Sequence, residues 1–168
     1  MAVHEHKAKS VQTTGCFVIT VSDTRDETTD RSGAAIKQQL TDAGHRVVGY
    51  RIVKDEPDQI ATVLKEATTS YETDAVILNG GTGIAPRDGT YEIVSRSLEK
   101  KLDGFGELFR YLSYQDIGSA AMISRAVAGT VGQKVVISLP GSTGAVQLAM
   151  EKLILPEIGH MVSQLQGR

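Results

Sequence analysis

Short apolar runs separated by polar, glycine-punctuated stretches set the rhythm of this chain. Cys16-Phe17-Val18-Ile19-Thr20-Val21 is nearly continuous in apolar, β-branched residues and gives way to the polar stretch Ser22 to Arg31. A run without alternation suits a strand buried on both faces of a parallel sheet. Arg46 to Val53, Asp74-Ala75-Val76-Ile77-Leu78 and Lys134 to Leu139 read as three more strands. Helical spacing appears between them. Ser32 can cap a helix from Gly33 to about Ala43, with Gly44 as its stop. Pro57 suits a first turn, and Ile60, Val63, Leu64 and Ala67 then fall at i, i+3, i+4 and i+7, one apolar stripe. Thr90 can cap a helix through about Leu98. Between Gly104 and Arg125 the pattern predicts a short helix at 105–112 and another at about 120–126. Pro140-Gly141 breaks the fourth strand, and Ser142 or Thr143 caps a helix carrying Val146, Ala149, Met150 and Leu153. Pro156 starts the last helix, striped by Ile158, Met161, Val162 and Leu165.

Strand–helix alternation predicts an α/β fold, a mostly parallel sheet with helices on both faces. In such folds ligands collect beyond the carboxyl ends of the strands. Four polar or glycine-rich loops fall there: Ser22–Arg31, Lys54-Asp55-Glu56, Asn79–Asp88 and Pro140–Gly144. Their convergence on one pocket is the physical case for a site.

The loop Asn79-Gly80-Gly81-Thr82-Gly83 leads that case. Glycines admit positive φ and close backbone approach, so N–H groups can converge on an anion. No Gly-Lys-Ser/Thr follows and the G-x-G-x-x-G spacing is absent, so it is neither a P-loop nor a dinucleotide fingerprint. The alternative is a tight turn without a ligand, although three glycines in four residues exceed what one turn needs. Arg87 can pair a phosphate and Asp88 can hold Mg²⁺ through oxygen ligands, or Asp88 only caps the next helix. Asp55 is a second carboxylate open to the same two readings. Ser22-Asp23-Thr24 with Asp26, Glu27 and Asp30 form an acidic, hydroxyl-rich loop whose ordinary reading is solvated surface. Ser32-Gly33 and Leu139-Pro140-Gly141-Ser142 each place a hydroxyl and a glycine at a helix N-terminus, either an anion site or an ordinary cap. Glu107 and Arg110, at i and i+3, form a normal surface pair. Phe105 and Phe109 at i and i+4 belong to core or interface.

Composition narrows the function classes. Of 168 residues, 40% are hydrophobic and 23% charged, ordinary for one globular domain. A net charge of −2 removes the electrostatic case for non-specific nucleic-acid binding. No apolar run approaches the roughly 18 residues that span a bilayer. The N-terminus, MAVHEHKAKSV, has no apolar h-region, so no secretory signal is expected. A single cysteine, Cys16, excludes an intrachain disulfide and fits a reducing cytoplasm. His4 and His6 flank Glu5 and offer a metal reading, against the plainer one of a solvated, mobile tail over 1–13. His45 reads as surface and His160 as part of the last helix. No Cys/His cluster and no Ser-His-Asp order exist.

In order along the chain, Val21-Ser22-Asp23-Thr24, Asp30-Arg31-Ser32-Gly33, Val53-Lys54-Asp55-Glu56, Gly80-Gly81-Thr82-Gly83 with Pro86-Arg87-Asp88, Gly104-Phe105-Gly106-Glu107, Ser124-Arg125-Ala126 and Leu139-Pro140-Gly141-Ser142 resemble the MoaB/MogA family of molybdenum-cofactor biosynthesis proteins, its MoaB branch most. Each motif alone is weak; the ordered set is specific, and it covers residues 14–168 as one domain. The resemblance implies the three-layer molybdopterin-binding fold, assembling as trimers or as hexamers of two trimers. Family members bind molybdopterin, and active ones transfer AMP from Mg·ATP to its terminal phosphate, releasing pyrophosphate. By motif match, Asp55 and Asp88 are the acidic residues tied to catalysis and Mg²⁺. Gly80–Gly83 is the nucleotide loop and Ser142 lies in a ligand-lining turn. Ser22, Asp23, Ser32, Gly33, Asn79, Arg87, Glu107, Pro140 and Gly141 complete the expected binding set. Some MoaB-type members are catalytically weak, so a binding or assembly paralogue is the alternative. Contacts with other proteins of the pathway are expected on the same ground. The family loop most often begins with Thr, where this chain has Asn79.

Overall fold

The computed structural model describes residues 10–168; His4, Glu5 and His6 lie outside that range. Its elements in chain order are β1 (Gly15–Val21), α1 (Arg31–Asp42), β2 (Arg46–Val53), α2 (Pro57–Thr69), β3 (Ala75–Asn79), α3 (Thr90–Ser97), β4 (Lys100–Lys101), α4 (Asp103–Ile117), β5 (Val127–Val131), β6 (Lys134–Leu139), α5 (Thr143–Ala149) and α6 (Leu155–Gln166). The six strands form one sheet in the order β2-β1-β3-β6-β5-β4. The first four run parallel, while β5 and β4 are antiparallel additions at one edge. Every residue of β1 and β3 is buried, as their unbroken apolar runs require.

Because side chains alternate across a strand, each run feeds two cores. Cys16, Val18, Ile77 and Ile137 pack with Ile36, Leu40, Phe109, Val146 and Ile158, which come from α1, α4, α5 and α6. Phe17, Ile19, Val76 and Val136 pack with Ile60, Val63, Leu64 and Val94 of α2 and α3. Helices therefore cover both faces, and the expected three layers are present. Cys16 is fully buried, and burial pushes its thiol up to about 11, so it is an unreactive core residue. Phe105 stacks on Phe109 at 6.4 Å within the same packing.

Three local expectations are corrected. Asp30, not Ser32, caps α1: its Oδ1 accepts from Gly33 N at 2.9 Å. Ser32 lies inside the helix and donates from Oγ to the Gly141 carbonyl at 2.8 Å. The N-cap of α3 is Gly89, and Thr90 is drawn into the helix because its N–H donates to Gly81 O at 3.0 Å. The two short helices predicted between residues 105 and 126 are one 15-residue α-helix followed by a 3₁₀ turn over Gly118–Ile123. Gly118, at φ +67°, makes the break that the pattern placed earlier, and Ala126 already lies outside any helix. The edge strands β4 and β5 carry too few apolar residues to announce themselves. Between α5 and α6 a π-helical turn, Met150–Ile154, absorbs the register change ahead of Pro156, which has no N–H to give the helix ladder.

Residues 10–12 cross α6 at a point cut for them. Val11 N donates to Ser163 Oγ at 2.8 Å, and a Cβ on Gly159 would sit 2.3 Å from the Val11 carbonyl oxygen. Gly159→Ala is therefore expected to displace this segment and cost about 1 kcal/mol, at the low end for overpacking because a chain end can yield. Hydrogen exchange should show faster loss of protection at Val11 and Gln12 with the rest of α6 unchanged.

Candidate functional site

The order β2-β1-β3-β6 makes the chain leave β1 toward one side and arrive at β3 on the other, so the crevice between their carboxyl ends is open to a ligand. Two glycines shape it. Gly80, at φ +100°, lies so close to β1 that a Cβ would sit 2.1 Å from the Val21 carbonyl oxygen. Gly81, at φ +66°, would place a Cβ 2.0 Å from Thr90 Oγ1 and 2.6 Å from Asp55 Oδ2. No other residue fits either position.

Over this loop opens a cavity of about 480 Å³. Val21, Ser22, Thr24 and Arg25 line one wall, Gly80 to Gly83 the floor, and Pro140 and Gly141 a second wall. Ile123 and Ser124, from the 3₁₀ turn, close it. Three of the four expected loops thus meet in one cavity. The fourth, Lys54 to Glu56, joins from the side through Asp55, whose N–H donates to Asp23 Oδ1 at 3.1 Å and whose Oδ1 accepts from Gly89 N at 3.3 Å. A second cavity of about 400 Å³ lies on the other side of the loop, lined by Ile84 to Pro86, Asp88, Gly89, Glu92 and Arg125.

The carboxylates here are under opposed influences. Asp55 is 7% exposed. Burial raises its pKa, the charges of Asp88 and Asp23 raise it further, and the Gly89 N–H and Arg87 oppose the rise. Asp23 is pulled down to about 2, chiefly by its hydrogen bonds from Arg87. Arg87 donates from Nε to Asp23 Oδ2 at 2.5 Å and from Nη2 to Asp23 Oδ1 and Glu56 Oε1, both at 2.9 Å. Two of its three nitrogens are thus committed to carboxylates, and a phosphate reaching Arg87 shares it with them. Asp88 Oδ2 accepts from Ala85 N at 3.0 Å and lies against Gly83.

The remaining expected residues have other positions. Asn79 is fully buried. Its Nδ2 donates to Thr20 Oγ1 at 2.9 Å and to Ile19 O at 3.3 Å, away from the cavity wall. Gly33 packs against Asp30 and Thr20 beneath the site, and Ser32 ties α1 to the Gly141 carbonyl. Ser142 is exposed and caps α5, accepting from Ala145 N at 3.2 Å. Glu107 is exposed on α4 and borders neither cavity. Arg25 escaped the sequence reading, and Arg125 entered it only within the motif Ser124-Arg125-Ala126, with no role at the site. Arg25 lines the main cavity and donates to Gly141 O at 3.1 Å, and Arg125 binds the glycine loop from behind. A lone Arg in a polar loop carries no pattern, so only proximity in space reveals what either one holds.

Whether Mg²⁺ suits the site is answered by its donors. Asp55 and Asp88 are hard oxygen ligands on either side of the loop, and the buried Thr90 hydroxyl beside Gly81 has no hydrogen-bond partner. Among the described residues no three acidic, imidazole or thiol side chains form a ready metal cage. That is the donor set of an ion held by one or two carboxylates together with substrate phosphates and water. The residues fit.

Comparison with known proteins gives the same class. Residues 17–160 match the family model described as a probable molybdopterin binding domain. Molybdenum cofactor biosynthesis protein B of Bacillus cereus is 52% identical over 166 residues, 98% of each chain. A crystal structure of a molybdenum cofactor biosynthesis protein B superposes with a TM-score of 0.90 at 52% identity, covering 92% of this chain and 97% of that one. The tungsten cofactor synthesizing protein MoaB of Pyrococcus furiosus superposes at 0.84 with 39% identity, over 94% and 99%. The chain belongs to the MoaB/MogA family of molybdenum-cofactor biosynthesis proteins and carries its molybdopterin-binding domain.

The raised Asp55 gives a stability prediction with a definite sign. The folded state binds that proton more tightly than the unfolded chain does. Stability is thus fullest below the unfolded value of 3.8 and falls as pH rises through the folded one. Asp55→Asn keeps an acceptor for Gly89 N–H and removes the penalty. Its melting temperature should exceed the parent's at pH 7 and converge with it near pH 3.5, as read by scanning calorimetry.

Proposed function

We propose that this protein is a molybdopterin adenylyltransferase, acting in the cytoplasm on molybdopterin and Mg·ATP. The observation that carries the reading is the glycine loop itself. Gly81, Thr82 and Gly83 have N–H groups that donate to no acceptor among the described residues, they floor the main cavity, and two carboxylates stand beside them. Free backbone donors at a glycine loop are an anion cradle.

The chemistry asks for positioning more than covalent participation. The terminal phosphate of molybdopterin is ionised near neutral pH and attacks the α-phosphorus of ATP without a general base. A new P–O bond forms, the bond from the α-phosphorus to the α–β bridging oxygen breaks, and the electron pair leaves with pyrophosphate. The loop N–H groups hold phosphate oxygens in place, Arg25 supplies a positive wall, and Ser22, Thr24 and Ser124 offer hydroxyls to the cavity. Asp55 and Asp88 would hold Mg²⁺, which neutralises the triphosphate and the departing pyrophosphate. The Asn79 side chain reaches the protein interior and not the cavity, so its replacement of Thr bears on the frame of the loop and leaves ligand contacts untouched.

With molybdopterin, ATP and Mg²⁺, the protein should yield adenylylated molybdopterin and one pyrophosphate per turnover. Asp88→Asn and Asp55→Asn are each expected to lower kcat by about a hundredfold or more, the scale of losing one preorganised electrostatic element. An Asp88→Asn variant as fast as the parent sinks the mechanism, and no ATP binding at millimolar nucleotide leaves a molybdopterin-binding assembly protein.

We also propose that the chain forms homotrimers, alone or paired into hexamers, through the face of α4 and the turn after it. Leu108, Tyr111, Tyr114 and Ile117 are exposed there, and Met122 is 80% exposed. Contiguous apolar surface of this kind marks an interface. Tyr111→Glu combined with Met122→Glu should convert the assembly to monomers in light scattering.

A further inference from the structure

The glycine loop has no helix or strand ladder of its own, so its conformation must be fixed from outside. Arg125 does this. Its Nε donates to Thr82 O at 2.9 Å and its Nη2 to Gly83 O at 2.6 Å. Two further donors go to Glu92, Nη1 to Oε1 and Nη2 to Oε2, the latter at 3.3 Å. The guanidinium lies 4.8 Å over the Tyr91 ring. Tyr91 and Glu92 stand in the first turn of α3, whose leading N–H, that of Thr90, is bonded to Gly81 O. One rigid fork is thereby fastened to α3 on one side and grips two loop carbonyls on the other.

Across a trans peptide the N–H points opposite to the C=O. Holding Thr82 O and Gly83 O toward Arg125 therefore turns the N–H of Gly83 and of Ile84 away from it. None of the N–H groups from Gly81 to Ile84 finds an acceptor among the described residues. They remain oriented but unused, although free rotation of the peptides would let them turn away from the site. Glu92 is held below the usual carboxylate range, first by its hydrogen bonds from Arg125, so the brace stays ionised at neutral pH.

We infer that Arg125, braced by Glu92 and Tyr91, is a positioning residue that presets the glycine loop to receive a polyphosphate. The inference rests on the anion-binding reading of that loop and extends it to a residue behind the loop. A competing role is direct: Arg125 borders the smaller cavity, where it would be a phosphate contact in its own right. The two roles differ in sign at Glu92. If Arg125 touches the anion, Glu92→Gln frees a guanidinium and removes a negative charge, and anion affinity rises. If Arg125 is a brace, Glu92→Gln loosens it, and affinity falls despite the gain in positive charge.

The test uses the full chain, inorganic pyrophosphate as the probe, calorimetry for affinity and hydrogen exchange for the loop. In Glu92→Gln and in Arg125→Lys, whose single ammonium cannot span two carbonyls and a carboxylate, exchange at Thr90, whose N–H is held by the loop carbonyl of Gly81, should speed up by about tenfold or more, the scale of losing a charge-assisted hydrogen bond. Exchange in β1, β3 and β6 should stay at parent rates, and pyrophosphate should bind several-fold more weakly to both variants. Glu92 is half-exposed, so its variant is expected to fold whatever Arg125 tolerates. Unchanged exchange at Thr90 in both variants, or tighter pyrophosphate binding by Glu92→Gln, overturns the proposal. A parent protein that binds no pyrophosphate would count against the anion reading of the loop, while the exchange rates would still decide whether Arg125 sets its conformation.

Discussion

A single buried carboxylate holds the site's framework together. Asp30 is 2% exposed, and its two oxygens take donors from three separate elements: Gly33 N of α1, Thr20 Oγ1 of β1 at 2.6 Å and Tyr50 OH of β2 at 2.5 Å. Thr20 in turn accepts from Asn79 Nδ2, the last residue of β3 before the glycine loop. A carboxyl group this deep is tolerable only when it is hydrogen-bonded, and here three donors reach it. The same contacts fix where β1, β2, β3 and the start of α1 end relative to one another. Each loop of the site springs from one of those ends or, like Pro140-Gly141, is tied to them through Ser32 and Arg25.

Above that network the site carries groups in tension. Asp55 is buried among like charges and has its proton affinity raised, while Asp23, a few ångströms away, is held ionised by Arg87. Among the described residues, backbone donors of the glycine loop and the Thr90 hydroxyl have no partner. Each disfavours the folded state on its own. The proposed function assigns them to an anion and a cation, and a site that takes up both cannot also satisfy itself internally.

Much of this was legible along the chain. The unbroken apolar runs of β1, β3 and β6 announced a sheet covered on both faces, because only strands buried on both sides can dispense with polar positions. Gly80-Gly81-Thr82-Gly83 announced a place where backbone comes too close for side chains, and the contacts of Gly80 with Val21 and of Gly81 with Asp55 and Thr90 are that closeness. Other features left no local trace. Whether Asp30 or Ser32 caps α1 turned on Thr20 and Tyr50, which lie 10 and 20 residues from Asp30 in the chain. The inward turn of Asn79 and the grip of Arg125 on Thr82 and Gly83 join residues 59 and about 40 positions apart. Sequence by itself determined which segments must be buried and which must bend, because hydrophobicity and glycine's missing Cβ act locally. Only the tertiary structure decided which polar groups pair with one another, because a hydrogen bond depends on distances that chain separation does not encode.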